Sequence, residues 1–196
     1  KNQILRSKLT TPDTITIHKV LEKFKKEGIE NVIIEASSHG LDQKRIDHLP
    51  LKAGIFTNFS QDHLDYHKNM KAYLNAKLLL FKHILKKGKT VIFDKNIKES
   101  KILENLSKKK QLRLIDINQT REKIKKILNL NEFQLNNLSM AVAAAKICKL
   151  KEKKILNSLT KLKDVDGRME LVRTFPNNVK VYVDFAHTPD ALLKTL

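Results

Sequence analysis

The chain has 196 residues, 41% of them hydrophobic, and carries 39 Lys and Arg against 21 Asp and Glu, a formal net charge of +18. That length suffices for one good core, or for one domain and part of another. No apolar run approaches membrane-spanning length, and the opening KNQILRSKL lacks the apolar core and cleavage site of a signal peptide. So basic a chain suggests nucleic acid. Yet arginine stands only at positions 6, 45, 113, 121, 168 and 173, and the lysines spread along helix surfaces without interleaved aromatics. Bidentate phosphate and base readout favours Arg, so the lysines read as solvated faces and no nucleic-acid partner is expected. The single Cys148 lies in an apolar helical stretch, which fits a structural thiol in a reducing compartment, the cytoplasm.

Residues 10–13, TTPD, look like a helix start, with Thr11 as N-cap, Pro12 as first helical residue and Asp13 as first-turn acid. Ile17, Val20, Leu21 and Phe24 give the apolar stripe, and Gly28 ends the helix. Strands are expected at 29–34 and 53–57, then a helix at 69–87, a strand at 90–94, a helix at 97–108 and a strand at 112–117. Such alternation indicates an α/β domain with a largely parallel sheet flanked by helices. Residues 119–131 are polar and ambiguous. Helices follow at 133–150 and 151–163. The texture changes at Asp164. Two strands then flank the turn Pro176-Asn177-Asn178, and a helix starts with Thr188 as cap and Pro189 at its first position. The expected organisation is therefore one domain over 1–164 and the first strands and helix of a second α/β domain over 165–196.

Chemistry concentrates at two expected strand ends. The run Val32 to Ile34 ends in Glu35, Ser37, Ser38 and His39. The run Ala53 to Phe56 ends in Thr57, Asn58, Ser60, Asp62, His63, Asp65 and His67. In open α/β sheets ligands bind beyond the carboxyl ends of the strands, so these clusters read as one active-site rim. Downstream, Lys77 falls inside the apolar stripe Met70, Tyr73, Leu74, Leu80, Phe81, Ile84 and Leu85. A lysine there snorkels to water or serves the site. Taken alone, the residues single out Glu35, His63 and Lys77. Thr11 and Ser37 are equally readable as helix caps, His67 as a surface residue and Asn137 as a helix-surface amide.

The stretches TTPD (10–13), EASSHGLDQKR (35–45), TNFSQDHLDYH (57–67), NAKLLLF (75–81), EFQLNNLSMA (132–141), DGRMELV (166–172) and VDFAHTPDAL (183–192) together resemble the Mur ligase family, in its tripeptide-synthetase type. The resemblance implies an ATP-dependent, amide-forming ligase of peptidoglycan precursor synthesis. ATP would phosphorylate a carboxylate of UDP-N-acetylmuramoyl-L-alanyl-D-glutamate, and a diamino acid would displace the phosphate. It further implies a cytoplasmic monomer whose 1–164 is most of the central ATPase domain and whose 165–196 opens the C-terminal one.

By the same resemblance, Glu35 and His63 bind Mg²⁺, and Lys77 does so as a carbamate. Carbamylation needs a neutral amine, which an apolar helix face favours, and a carboxylate suits a hard, octahedral ion. Thr10, Thr11, Ser37, Gln43 and Arg45 match positions that hold the UDP-muramoyl dipeptide. Asn137, Arg168, Asp184 and His187 match nucleotide contacts. The glycine-rich phosphate loop lies upstream of TTPD in the family, and Asn131-Glu132-Phe133-Gln134 departs from the family's G-x-F-N. The segment that selects the amino acid lies beyond Leu196, so residues 1–196 alone are expected to be inactive. Two other readings compete: a folylpolyglutamate synthetase-like ligase, and a Lys-rich nucleic-acid-binding module.

Overall fold

The computed structural model of the chain describes residues 7–163 and 165–195. Asp164, where the sequence texture changes, lies outside them. The chain forms two compact units. One takes in the chain up to Thr57 together with His63–Asn118, and the other Asn58–Asp62 and the chain from Gln119 onward.

The first unit holds a parallel sheet in the order β1 (Ala53–Ile55), β2 (Thr90–Phe93), β3 (Arg113–Asp116). Gly54 is level with Val91, and Val91 with Leu114. β2 is buried along its whole length, with Val91 and Ile92 fully inside. The unbroken apolar TVIF run is what a parallel strand covered on both faces requires, and each such side chain stabilises the fold by about 1.5–3 kcal/mol. Each crossover is helical. α3 (Leu64–His67) and α4 (Met70–Leu79) join β1 to β2, and α5 (Ser100–Lys110) joins β2 to β3.

α4 does not end as an α-helix. Leu80–Ile84 form a π-helical turn, closed by the Leu85 N–H donating to the Leu80 carbonyl at 2.9 Å. The wider turn brings Leu80, Phe81 and Leu85 together over Gly54. A β-carbon there would meet all three at 3.0–3.1 Å, so any larger residue in β1 would have to push these side chains aside by a few tenths of an ångström.

α1 (Thr14–Lys26) buries the expected stripe at Ile17. It ends at Gly28, φ +74°, with Ile29 N–H donating to the Phe24 carbonyl and Gly28 N–H to that of Lys25. This is a Schellman closure, for which a left-handed glycine suits best. Its start corrects the sequence expectation. Asp13, not Thr11, is the N-cap, accepting from the Thr16 N–H at 2.9 Å and its hydroxyl at 2.6 Å. These hydrogen bonds hold the Asp13 carboxyl below its usual pKa. The expected strand 29–34 is also corrected. The segment forms no strand, and Val32 and Ile33 are 41% and 87% exposed. A parallel strand exists only as a ladder with a neighbour, and the described residues offer this segment none.

In the second unit, α6 (Asn118–Lys125), α7 (Glu132–Ile147) and α8 (Glu152–Leu159) enclose a core of Ile124, Leu135, Val142, Ile155 and Leu159. The ambiguous 119–131 stretch is thus helical in its first half, around buried Ile124. Glu152 takes hydrogen bonds from Lys146 at 2.9 Å and Lys123 at 3.3 Å, and these hold its carboxyl below the usual range. β4 (Glu170–Thr174) and β5 (Lys180–Val183) form an antiparallel hairpin, bulged between Leu171 and Arg173 and closed by a turn with Asn178 at φ +64°. α9 (Pro189–Thr195) is capped as expected by the Thr188 hydroxyl.

Candidate active site

Thr11 is fully buried, and its hydroxyl organises the loop after residue 34. Oγ1 donates to the Glu35 carbonyl at 2.7 Å, accepts from the Ser37 N–H at 2.9 Å and lies 3.0 Å from the Ser37 hydroxyl. Ser37 in turn caps α2 (Ser38–Asp42), accepting from the Gly40 N–H at 3.1 Å. The Thr11 carbonyl accepts from Arg45 Nη1 at 2.8 Å. Arg45 Nε and Nη2 both donate to the Gln43 side-chain carbonyl. Four of the five residues matched to the UDP-muramoyl dipeptide therefore share one hydrogen-bonded network. The fifth, Thr10, is exposed next to it.

α3 grips α2 from the side. Tyr66 donates its hydroxyl proton to Asp42 at 2.8 Å and accepts from the Gln43 amide at 3.2 Å. His67, 6% exposed, places Nε2 2.9 Å from the Ser38 hydroxyl. Readable from the sequence as part of the rim or as a surface residue, it is buried, stacked on Tyr73 at 5.2 Å. His39 meets Tyr66, His63 and His67 ring to ring at 4.2, 4.9 and 5.5 Å. Burial, and then the neighbouring His63 for His39 and His39 for His67, push both imidazoles below their ordinary pKa. His39 and His67 belong to the expected active-site rim, whereas Tyr66 and Tyr73 escape sequence reasoning as site residues. The signal was present in the aromatic and imidazole spacing of HLDYH, but a ring's partners are set by tertiary contacts.

His63 begins α3 in the left-handed region, φ +53°, with no side-chain cap bond. A non-glycine residue held there is uncommon, and such strain collects at functional sites. Its ring stands edge-on to Tyr73 at 5.7 Å. On the other flank, the half-buried Lys77 sets Nζ 5.3 Å from the Tyr73 ring centre and 5.8 Å from that of Phe56. Tyr73 thus lies against two of the three candidate metal residues. The third, Glu35, is exposed, with its carbonyl fixed by Thr11.

The nucleotide candidates lie in the second unit. Asp184 accepts from the Met169 and Ala186 N–H groups, both at 2.7 Å, which ties the end of β5 to the start of β4. Arg168 lies over the Phe185 ring at 5.1 Å, and His187 Nδ1 is 2.9 Å from the Phe185 carbonyl. These three residues form one cluster. Asn137 is exposed on α7, where its neighbour Asn136 accepts from Arg121 at 3.0 Å.

Residues 1–162 match the Mur ligase middle domain. The chain belongs to the Mur ligase family. Two of its similar relatives are named UDP-N-acetylmuramoyl-L-alanyl-D-glutamate--2,6-diaminopimelate ligase. That of Rickettsia bellii is 37% identical over 96% of this chain and 44% of its own length. That of Zymomonas mobilis is 36% identical over 94% and 43%. A solved structure with the same enzyme name superposes with a TM-score of 0.71 at 24% identity, over 94% of this chain and 42% of that one, and supports the fold. The chain spans less than half the length of the curated relatives it matches. The α/β architecture with a parallel sheet flanked by helices is that of a Mur ligase. Among the described residues, no helix is long and apolar enough to cross a membrane.

Proposed function

We propose that this chain is part of a cytoplasmic ligase that joins a diamino acid to UDP-N-acetylmuramoyl-L-alanyl-D-glutamate in peptidoglycan precursor synthesis. The observation that carries this is the network of Thr11, Ser37, Gln43 and Arg45 beside the cluster of His63, Tyr73 and Lys77, in a chain whose relatives bear that enzyme's name. The γ-phosphoryl group of ATP passes to a substrate carboxylate, giving an acyl phosphate and ADP. The amine nitrogen then attacks the acyl carbon, loses a proton and expels orthophosphate.

The residues of this chain divide the work. Thr10, Ser37, Gln43 and Arg45 receive the UDP-muramoyl dipeptide, and the buried Thr11, matched to the same site, holds Ser37 and Arg45 in place for it. Arg45, with Nε and Nη2 braced on Gln43 and Nη1 on the Thr11 carbonyl, is a fixed cation whose remaining Nη hydrogens suit carboxylate or phosphate oxygens. Asn137, Arg168, Asp184 and His187 serve the nucleotide. Glu35, His63 and a carbamylated Lys77 would hold Mg²⁺, which would supply charge neutralisation to the phosphates. Glu35 and a Lys77 carbamate would offer the oxygen donors that Mg²⁺ takes, and His63 an imidazole nitrogen less typical of that ion. Among the described residues, no three His, Cys, Asp or Glu converge as a prebuilt cage. Mg²⁺ typically takes one or two carboxylates and completes its octahedron with water and phosphate oxygens.

The test is phosphate release by the protein as its gene encodes it, at full length. Release should require ATP, Mg²⁺, UDP-muramoyl-L-Ala-D-Glu and diaminopimelate together. Release that instead needs a different nucleotide-linked peptide, or a folate, overturns the reading.

A further inference from the structure

We propose that Tyr66 is a positioning residue for the acid substrate, anchoring through its hydroxyl the Gln43 amide and, through Gln43, the Arg45 guanidinium. The proposal rests on the assignment of Gln43 and Arg45 to the UDP-muramoyl dipeptide made above.

α2 has only five residues, too few to stand without tertiary support. Its N-terminal end is held by Ser37 and by the buried His67–Ser38 bond. Its C-terminal end is held by Tyr66. The phenol proton goes to the Asp42 carboxylate at 2.8 Å, the stronger acceptor. The phenol oxygen is then an acceptor only, and takes the Gln43 NH₂ at 3.2 Å. With its NH₂ turned to Tyr66, Gln43 faces its carbonyl to Arg45, where it accepts from Nε at 3.1 Å and from Nη2. A flipped amide would set an NH₂ against the guanidinium and a carbonyl against a phenol with no proton left to give. The Gln43 amide is therefore oriented from both sides, by the donor-only guanidinium of Arg45 and by the acceptor-only phenol oxygen of Tyr66, and Arg45 Nη1 closes the chain Asp42–Tyr66–Gln43–Arg45–Thr11 on the Thr11 carbonyl at 2.8 Å. The aromatic ring has a separate task, packing on His39 at 4.2 Å and His67 at 4.8 Å. Phenylalanine keeps that packing and removes only the hydroxyl.

The experiment is a double-mutant cycle in the full-length protein with Tyr66→Phe, Gln43→Ala and both together. It is read by calorimetric binding of the UDP-muramoyl dipeptide and by KM for each substrate. Tyr66→Phe should weaken dipeptide binding about fivefold to tenfold, the scale of a lost hydrogen-bond relay. KM for ATP should change by less than about twofold, and in the Gln43→Ala background Tyr66→Phe should add less than about twofold. Amide hydrogen exchange over residues 38–43, measured without ligand, should accelerate in Tyr66→Phe while the melting temperature holds. Unchanged dipeptide binding by Tyr66→Phe, equal losses for both substrates, or the same loss with and without Gln43 overturns the proposal. Wild-type protein that binds no UDP-muramoyl dipeptide instead defeats the substrate assignment, and this proposal with it.

Discussion

Gly40 lies against Thr11 with no room for a side chain: a β-carbon there would fall 2.7 Å from Thr11 Cβ and 2.9 Å from its hydroxyl oxygen. The contact is made by a buried, branched residue whose hydroxyl is already committed to Glu35 and Ser37, so neither side can yield freely. Gly40→Ala should therefore destabilise the protein by about 1–3 kcal/mol, the cost of overpacking, although alanine is intrinsically the better helix former. Urea denaturation measures this. A stability gain would mean that Thr11 moves aside without cost.

Thr11 itself separates hydroxyl from shape. Thr11→Val keeps the volume and strands the Ser37 N–H and the Glu35 carbonyl, at about 1–3 kcal/mol. Thr11→Ser keeps the hydroxyl and loses one methyl, at about 1 kcal/mol. Valine should cost more than serine. The reverse order in denaturant titrations would show that packing on Gly40, not the hydrogen bonds, holds this loop.

His39 and His67 carry depressed pKa values, chiefly from burial. In the unfolded chain both titrate near their ordinary value of 6.5, so below that pH the unfolded state binds more protons than the folded one. Stability is then full above the unfolded pKa and falls as pH drops through the lowered folded values. Asp65 and Asp42 oppose the shift, while His63 and Arg45 reinforce it at His39, and His39 and His63 at His67. Denaturation at about pH 7.5 and about pH 5.5 should show the loss before carboxylates begin to protonate. His67→Gln, which can still hydrogen bond to Ser38, should flatten the slope. An unchanged slope would remove His67 as its source.

How much of this was legible in the sequence depended on how local each cause is. The TVIF run of β2, the Gly28 closure of α1, the Thr188 cap and the hairpin turn at 176–178 follow from residue types within a few positions, and each formed as expected. Strand 29–34 failed because a ladder needs a neighbour that local pattern does not supply. Thr11 was misassigned because two residues on either side of Pro12, Thr11 and Asp13, can both cap a helix. Only the tertiary fold, which carries the Thr11 hydroxyl to Glu35 and Ser37, decides between them. Resemblance to the family singles out Thr11, Ser37, Gln43 and Arg45 one by one, but not the hydrogen bonds that join them. The clamp of Tyr66 and His67 on α2 is equally invisible to local pattern, because it pairs residues 23 to 29 positions apart.

Lys77 offers the sharpest test. Its Nζ rests 5.3 and 5.8 Å from the ring centres of Tyr73 and Phe56, a setting that favours an ammonium by about 0.5–1 kcal/mol. That contact is the physical content of the competing view, a lysine that only packs and carries a cation. The carbamate reading makes the opposite demand. Mg²⁺ beside a triphosphate needs anionic ligands, and a fixed cation would repel it. Arginine separates the two, because it keeps the positive charge and stacks on aromatic rings as well as lysine does, yet stays protonated and cannot be carbamylated. In the full-length enzyme Lys77→Arg should lose nearly all turnover, and Lys77→Ala likewise. Acetate should restore part of the activity of Lys77→Ala by filling the vacated space with a carboxylate, whereas bicarbonate should not, since no amine remains. Isotope-labelled bicarbonate should give a carbamate carbon signal in the wild type that is absent from both variants. Near-normal turnover by Lys77→Arg would refute the carbamate and leave Lys77 as a cation seated on two aromatic rings.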